Sequence, residues 1–380
     1  MKNFSKQVCL CLHVLITMFS VGCARPPASK AELPSKTDDY HIAAIADLPS
    51  AEQGKVDASI KSFLNNKTPT ANRDAGQLSW DCFAAIALYE NGVNQAKQKL
   101  LSIAQQLADD AVRAGDNVIG WRYEAKSGDT CPDGGLDAFG DGTCNGKNTV
   151  YSFQTGLGMA CLAKAGALLG QKDYIAKASQ ILSYWQKYTL PKPCDDCVYY
   201  LYSDNPNDQG RYVRNVNVFM AYGAAMLGKV SGDQNATNLA RQSMRADMDE
   251  RLNGNEGYLG RLDPEWKANR EKGAQNIENH AAAMAVVTDL MGSLDDTREF
   301  HEHGLALWDK WANCDNSRCR ATSCSVWGGD ASKCQATLTA AHCAFRKTNS
   351  LANSQCDEYL SRAGSVPSFG LWSVIVGGGQ

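Results

Sequence analysis

Arginine, asparagine and histidine gather at two places in this sequence, Arg214-Asn-Val-Asn217 and Glu278-Asn-His280, each directly ahead of a run rich in alanine and glycine. Those side chains suit the removal of a carbon-bound proton beside a carboxylate. Arginine or asparagine neutralises the carboxylate and lowers the pKa of the neighbouring C–H, and histidine or tyrosine takes the proton. That is the chemistry of β-elimination or epimerisation of a uronic acid. Glycoside hydrolysis needs instead two carboxyl groups flanking the scissile bond, for which Asp81, Asp208, Glu256, Asp263 and Glu278 stand in loops or at helix starts. Bland readings compete: Asn217 and Asn279 as helix caps, His280 as a core histidine, the acids as solvated surface. Trp121, Tyr123, Tyr199, Tyr258 and Trp266 would stack on sugar faces under either chemistry, half or more of these rings being expected in the core.

The elements that must position these residues repeat along the chain. Four runs of small residues, over 80–92, 156–170, 218–232 and 280–292, each end on a glycine, as helices with left-handed caps do. Amphipathic segments over 95–114, 174–188, 235–252 and 297–312 follow them and predict a second, more charged set of helices. Nearly uncharged first helices suit an inner layer packed on all sides, and the second set suits an outer layer with one wet face. Further helices are expected at 51–65 and 333–345. The connections from second to first helices are long, and long loops are usually functional.

This two-layer rhythm, the inner-helix run Gly158-Met-Ala-Cys-Leu-Ala-Lys-Ala-Gly166 and the loop Gly120-Trp-Arg-Tyr123 resemble the (α/α) toroids of six-hairpin glycosidases and of helical polysaccharide lyases and uronyl epimerases. The resemblance spans roughly residues 50–315. It implies an all-α toroid, an incomplete or five- to six-hairpin barrel, with the starts of its inner helices around the mouth of a funnel. Helical alginate-type lyases use an Asn-His pair and a tyrosine, so the resemblance implies His280, Asn279, Arg214 and Tyr202 as the catalytic set and polysaccharide as the partner. The rival expectation is a non-catalytic toroid that binds glycan or protein.

The amino terminus reads as an address. Lys2 and Lys6 precede an apolar run over 8–19 that is too short to span a bilayer, and Ser20-Val-Gly-Cys23 follows. This resembles the bacterial lipobox, which implies a signal over 1–22, lipidation at Cys23 and, with Ala24 rather than aspartate next, the outer membrane. Residues 23–48 read as a flexible tether, 49–315 as the toroid, 316–365 as a cysteine-rich cap and 366–380 as a terminal segment. A net charge of −3 argues against nucleic acid as a partner. Twelve of the 15 cysteines lie beyond Cys23 in an oxidising compartment, so most are expected in disulfides, with Cys131 to Cys144 and Cys194 to Cys197 as local pairs. A redox pair at Cys194 and Cys197 is disfavoured by the two intervening aspartates, which raise thiol pKa values.

No cofactor is expected. Asp133, Asp137 and Asp141 lie in a glycine-rich loop that could attract calcium, but a spacing of four fits no calcium loop and a solvated acidic turn is the expectation. His301 and His303 would point to different faces of a helix, so no metal is expected there. Leu338-Thr-Ala-Ala-His-Cys343 matches the histidine motif of chymotrypsin-like proteases, yet the chain lacks their nucleophile loop.

Overall fold

Why the small residues recur is visible in the helix over Ser152–Leu169, which is buried on nearly every side. A Cβ at Gly156 would lie 2.4 Å from the backbone of Phe219, and one at Gly158 would lie 2.5 Å from the ring of Trp121. Any larger residue would push these neighbours away, so the run is small because two layers close on it at once. The computed structural model describes residues 50–66, 75–123, 131, 134–137, 142–190, 195–209 and 214–248. The expectations at Cys23, Asp133, Asp141, Glu256, Tyr258, Asp263, Trp266, Glu278, Asn279 and His280, and those for the cysteine-rich segment, lie outside the described residues.

The elements run α1 (Ser50–Asn65), α2 (Ala75–Glu90), α3 (Ala96–Asp110), β1 (Val112–Ala114), β2 (Asn117–Gly120), α4 (Ser152–Leu169), α5 (Lys172–Trp185), a 3-10 turn (Pro206–Asp208), α6 (Arg214–Ser231) and α7 (Gln234–Met248). Helices α2, α4 and α6 form the inner layer, with α4 packed between the other two. Each is backed by its own following helix, α3, α5 and α7. The outer helices bury one stripe only: α5 buries Tyr174, Ala178, Ile181, Leu182 and Trp185, the spacing of a single helical face. Helix α1, expected over 51–65, adds Val56 and Ile60 to the same core.

Three of the four predicted caps hold, and Gly292, with the helices expected over 280–292, 297–312 and 333–345, lies outside the described residues. Gly92, Gly170 and Gly232 have φ of +85°, +69° and +74°, with open space around each, so it is the left-handed backbone rather than crowding that calls for glycine there. At Gly170 the N–H reaches back to the Ala167 carbonyl.

Helix boundaries moved at the starts of the inner helices and at the end of one outer helix. The inner helices begin earlier than their small-residue runs, α2 at Ala75 and α4 at Ser152. The helix expected to reach 114 stops at Asp110, and β1 and β2 form an antiparallel hairpin around Gly115, whose φ is +62°. Val112, Ala114 and Val118 flanking a Gly-Asp turn favour that hairpin over further helix.

Cys131 and Cys144 are bonded as expected, and Cys82 is bonded to Cys161, tying α2 to α4 inside the core. Cys197 is also in a disulfide, so it is not a free thiol; its partner lies outside the described residues. Among the described residues no helix is long and apolar enough to cross a membrane.

Candidate functional site

Consecutive hairpins repeat one up-and-down path, so the long connections 111–151 and 186–213 arrive at the same end, the starts of α4 and α6. The segment around Tyr200–Ser203 ties those two starts together. Ser152, the first residue of α4, donates from its N–H (3.0 Å) and its Oγ (2.9 Å) to the Tyr202 carbonyl. In the first turn of α6, Asn217 accepts from the Tyr200 N–H (3.1 Å) and donates to the Ser243 carbonyl (2.9 Å). Asn217 therefore bridges a loop and α7 rather than capping its own helix.

Tyr151 precedes α4 and is gripped from both connections: its N–H donates to the Trp121 carbonyl (3.1 Å) and its backbone forms a β-bridge with Ser203. The Tyr123 and Tyr202 rings meet it edge-on, with centroids at 6.2 and 5.6 Å. Tyr151 is buried, whereas Tyr123 and Tyr202 are half-buried. Two proposed functional tyrosines thus converge on a third that sequence reasoning missed.

Beneath the rings lies a polar network. Asn145 donates from Nδ2 to Asp208 Oδ2 (2.7 Å) and to Tyr151 Oη (3.2 Å), and Ser203 Oγ donates to the same Asp208 oxygen (2.5 Å). Asp204 accepts from the Val150 N–H (2.9 Å) and from Tyr184 Oη (2.9 Å), which in turn lies 3.0 Å from Tyr188 Oη. Burial pushes the Tyr151 phenol up to about 12; the charges of Asp208 and Asp204 add to this and the Asn145 hydrogen bond opposes it. Burial also raises the Asp204 carboxyl above the usual carboxylate range, against the stabilising bonds from Val150 and Tyr184. Tyr184 is held far above an ordinary phenol by burial and by its bonds to Tyr188 and Asp204. At neutral pH the Tyr151 and Tyr184 phenols keep their protons and are not bases.

Other sequence candidates fall elsewhere. Trp121 is a core residue: it is 1% exposed, its ring lies against Gly158, and its Nε1 donates to the Leu107 carbonyl (2.8 Å). Tyr199 is also core, fully buried beside Ala246 and Leu190. Neither presents a ring for a sugar, because the layers behind the loops enclose both. Arg214 is the first residue of α6, as its position ahead of the small-residue run implied. Asp81 sits in the second turn of α2 and is buried, since that helix starts at Ala75 rather than Trp80. Asp208 is fully buried within the network above. Asp137 accepts from the Gly142 N–H (2.8 Å), closing the turn inside the Cys131–Cys144 loop.

No protein-family model and no curated protein matches the sequence. Solved structures do match in fold. A D-mannose isomerase aligns with a TM-score of 0.55 at 10% identity, covering 82% of this chain and 84% of that one. A glycoside hydrolase family 76 mannosidase from Bacteroides thetaiotaomicron VPI-5482 aligns at 0.53 and 8% identity, covering 86% and 97%. A cellobiose 2-epimerase from Spirochaeta thermophila DSM 6192 aligns at 0.51 and 12%, covering 82% of each. The chain is therefore an all-α protein that shares the (α/α) toroid fold of these enzymes. At these identities the likeness speaks for the fold and not for the reaction.

Proposed function

We propose that this protein is a carbohydrate-active enzyme that transforms a saccharide at the connection end of its toroid by taking a proton from a sugar carbon. The observation that carries the reading is the convergence of Tyr123, Tyr151 and Tyr202 where the connections meet the starts of α4 and α6, with Arg214 opening α6. Proteins of the same fold are named as a D-mannose isomerase, a sugar epimerase and a cellobiose 2-epimerase, which agrees with chemistry at carbon. The carboxylates of the network also weigh on this side. Asp204 and Asp208 are both engaged by protein donors, whereas a hydrolase needs one carboxyl free to protonate and one free to attack or to activate water.

In its specific form the substrate is an acidic polysaccharide. Arg214 and Asn279 neutralise a uronate carboxylate, and His280 or Tyr202 exchanges the proton beside it. The phenols of Tyr151 and Tyr184 keep their protons in this scheme, so neither of those two is the base. The test is turnover of uronate-containing and neutral polysaccharides by the purified protein, read as absorbance near ~235 nm from a conjugated uronate and as new reducing ends, against His280→Ala and Tyr202→Phe. Absorbance that both variants lose supports elimination. Reducing ends without absorbance, unaffected by either variant, would replace this reading with hydrolysis, the reaction of the mannosidase of like fold.

The protein works, in this proposal, from a lipid on Cys23 at the outer membrane. A Cys23→Ser chain expressed in a Gram-negative host should leave the membrane fraction and stay soluble. Unchanged fractionation would remove the anchor from the account.

A further inference from the structure

The hydrogen bonds around Tyr151 leave two complementary positions unfilled. Asp208 Oδ2 already accepts from Ser203 Oγ and from Asn145 Nδ2. Turning the Asn145 amide over would set its oxygen against that carboxylate, acceptor against acceptor, so the network fixes which end faces Asp208. Asn145 Nδ2 has one hydrogen left, and it points at Tyr151 Oη. The Tyr151 oxygen is therefore an acceptor in this contact. Its own hydrogen must find a partner elsewhere, and no acceptor for it stands among the described residues. On the other side of the amide, Asn145 Oδ1 is buried and has no hydrogen-bond partner among the described residues.

A donor and an acceptor left open on adjacent side chains are costly in a folded protein unless something fills both. A hydroxyl group does so, accepting from the phenol while donating to the amide oxygen. The surroundings fit a ring that carries such hydroxyls, because the two half-buried neighbours of Tyr151 are aromatic.

We propose that Asn145 and Tyr151, flanked by Tyr123 and Tyr202, form a subsite for one hydroxyl group of a pyranose, with Tyr151 donating to the sugar oxygen and Asn145 Oδ1 accepting its hydrogen. The proposal rests on the saccharide reading above and adds to it residues that bind rather than react. Tyr151 stays protonated across the whole working range, so it donates at any pH at which the enzyme is assayed. Tyr123 meets the Tyr151 ring edge-on and supplies contact area.

The test has a binding arm and a turnover arm. The protein is labelled at tyrosine Cζ, and the Tyr151 resonance is identified as the one of 14 that Tyr151→Phe removes. Cellobiose, mannobiose and an oligoglucuronate are then titrated in. The probe that binds should move the Tyr151 resonance, and both Tyr151→Phe and Tyr123→Leu should raise its Kd, or the KM of a turned-over polysaccharide, about tenfold while kcat changes far less. A merely structural pair, with an ordered water between phenol and amide, would lower the melting temperature of Tyr151→Phe and leave KM and the titration alone. That outcome, with wild-type turnover intact, overturns the subsite and spares the proposed function. Movement of the resonance with no turnover of any polysaccharide keeps the subsite and removes the enzyme reading. No response to any probe in either arm overturns both.

Discussion

The disulfide between Cys82 and Cys161 should stabilise the protein more than the one between Cys131 and Cys144, and the difference follows from the chain each closes. Their sequence separations are 79 and 13 residues. Restriction of the unfolded chain gives about 4.5 kcal/mol for the longer loop and about 3 kcal/mol for the shorter. The shorter bridge lies inside the longer loop and trims it by about a dozen residues, which changes the figure by only about 0.2 kcal/mol because the dependence is logarithmic. Burial acts in the same direction, since Cys82 and Cys161 are both fully buried whereas Cys131 is 7% exposed. Truncating the inner pair to alanine leaves space between α2 and α4 that has no way to fill with water. Chemical denaturation of Cys82→Ala/Cys161→Ala and of Cys131→Ala/Cys144→Ala should therefore separate the two by about 1.5 kcal/mol or more, the inner pair losing more. Equal losses, or a larger loss from the outer pair, would refute both the loop argument and the placement of the inner bridge in the core.

Gly156→Ala should destabilise the protein by about 1–3 kcal/mol, because the added methyl meets the Phe219 backbone, and this outweighs the helix propensity it gains. Gly170→Ala, with open space but a φ of +69°, should cost about 1 kcal/mol; thermal unfolding of the two variants checks both figures. Asn217→Ala should cost about 2–4 kcal/mol in the same measurement, since it orphans the Tyr200 N–H and the Ser243 carbonyl together. Tyr151, Tyr174, Tyr184, Tyr200 and Tyr222 are all raised above the ordinary phenol value, first of all by burial. The unfolded chain then loses phenolic protons before the folded one does, so stability is complete below about pH 10 and falls as pH rises from there. Melting temperatures between pH 8 and 11 should be flat at first and then drop, and a flat profile throughout would contradict the buried positions of these rings.

The fold was legible where one physical cause dominated the local sequence. Gly92, Gly170 and Gly232 each follow a small-residue run, and only glycine is at ease in the left-handed turn that ends such a helix, so the hairpin period could be read off directly. The starts of the same helices were not legible, because Ser152-Phe-Gln-Thr155 carries none of the small-residue signal that Gly156 begins. That offset hid Tyr151, which stands just ahead of the expected start at Gly156 and is the residue on which Tyr123 and Tyr202 close. Asn145 gave no sign either: its importance comes from Asp208, 63 residues away, through a bond that no local pattern encodes. Trp121 and Tyr199 show the opposite limit. Ring chemistry alone suits both a sugar platform and a core, and only the layers packed over them decide for the core.

The central claim, that this toroid removes a proton from a sugar carbon, is tested most directly by proton NMR of uronate and neutral saccharides incubated with the protein in deuterium oxide. The account predicts either a new olefinic proton from elimination or the loss of one ring C–H signal to deuterium from epimerisation, absent with His280→Ala. New reducing-end signals with every ring C–H intact, or a spectrum unchanged for all saccharides, would contradict it.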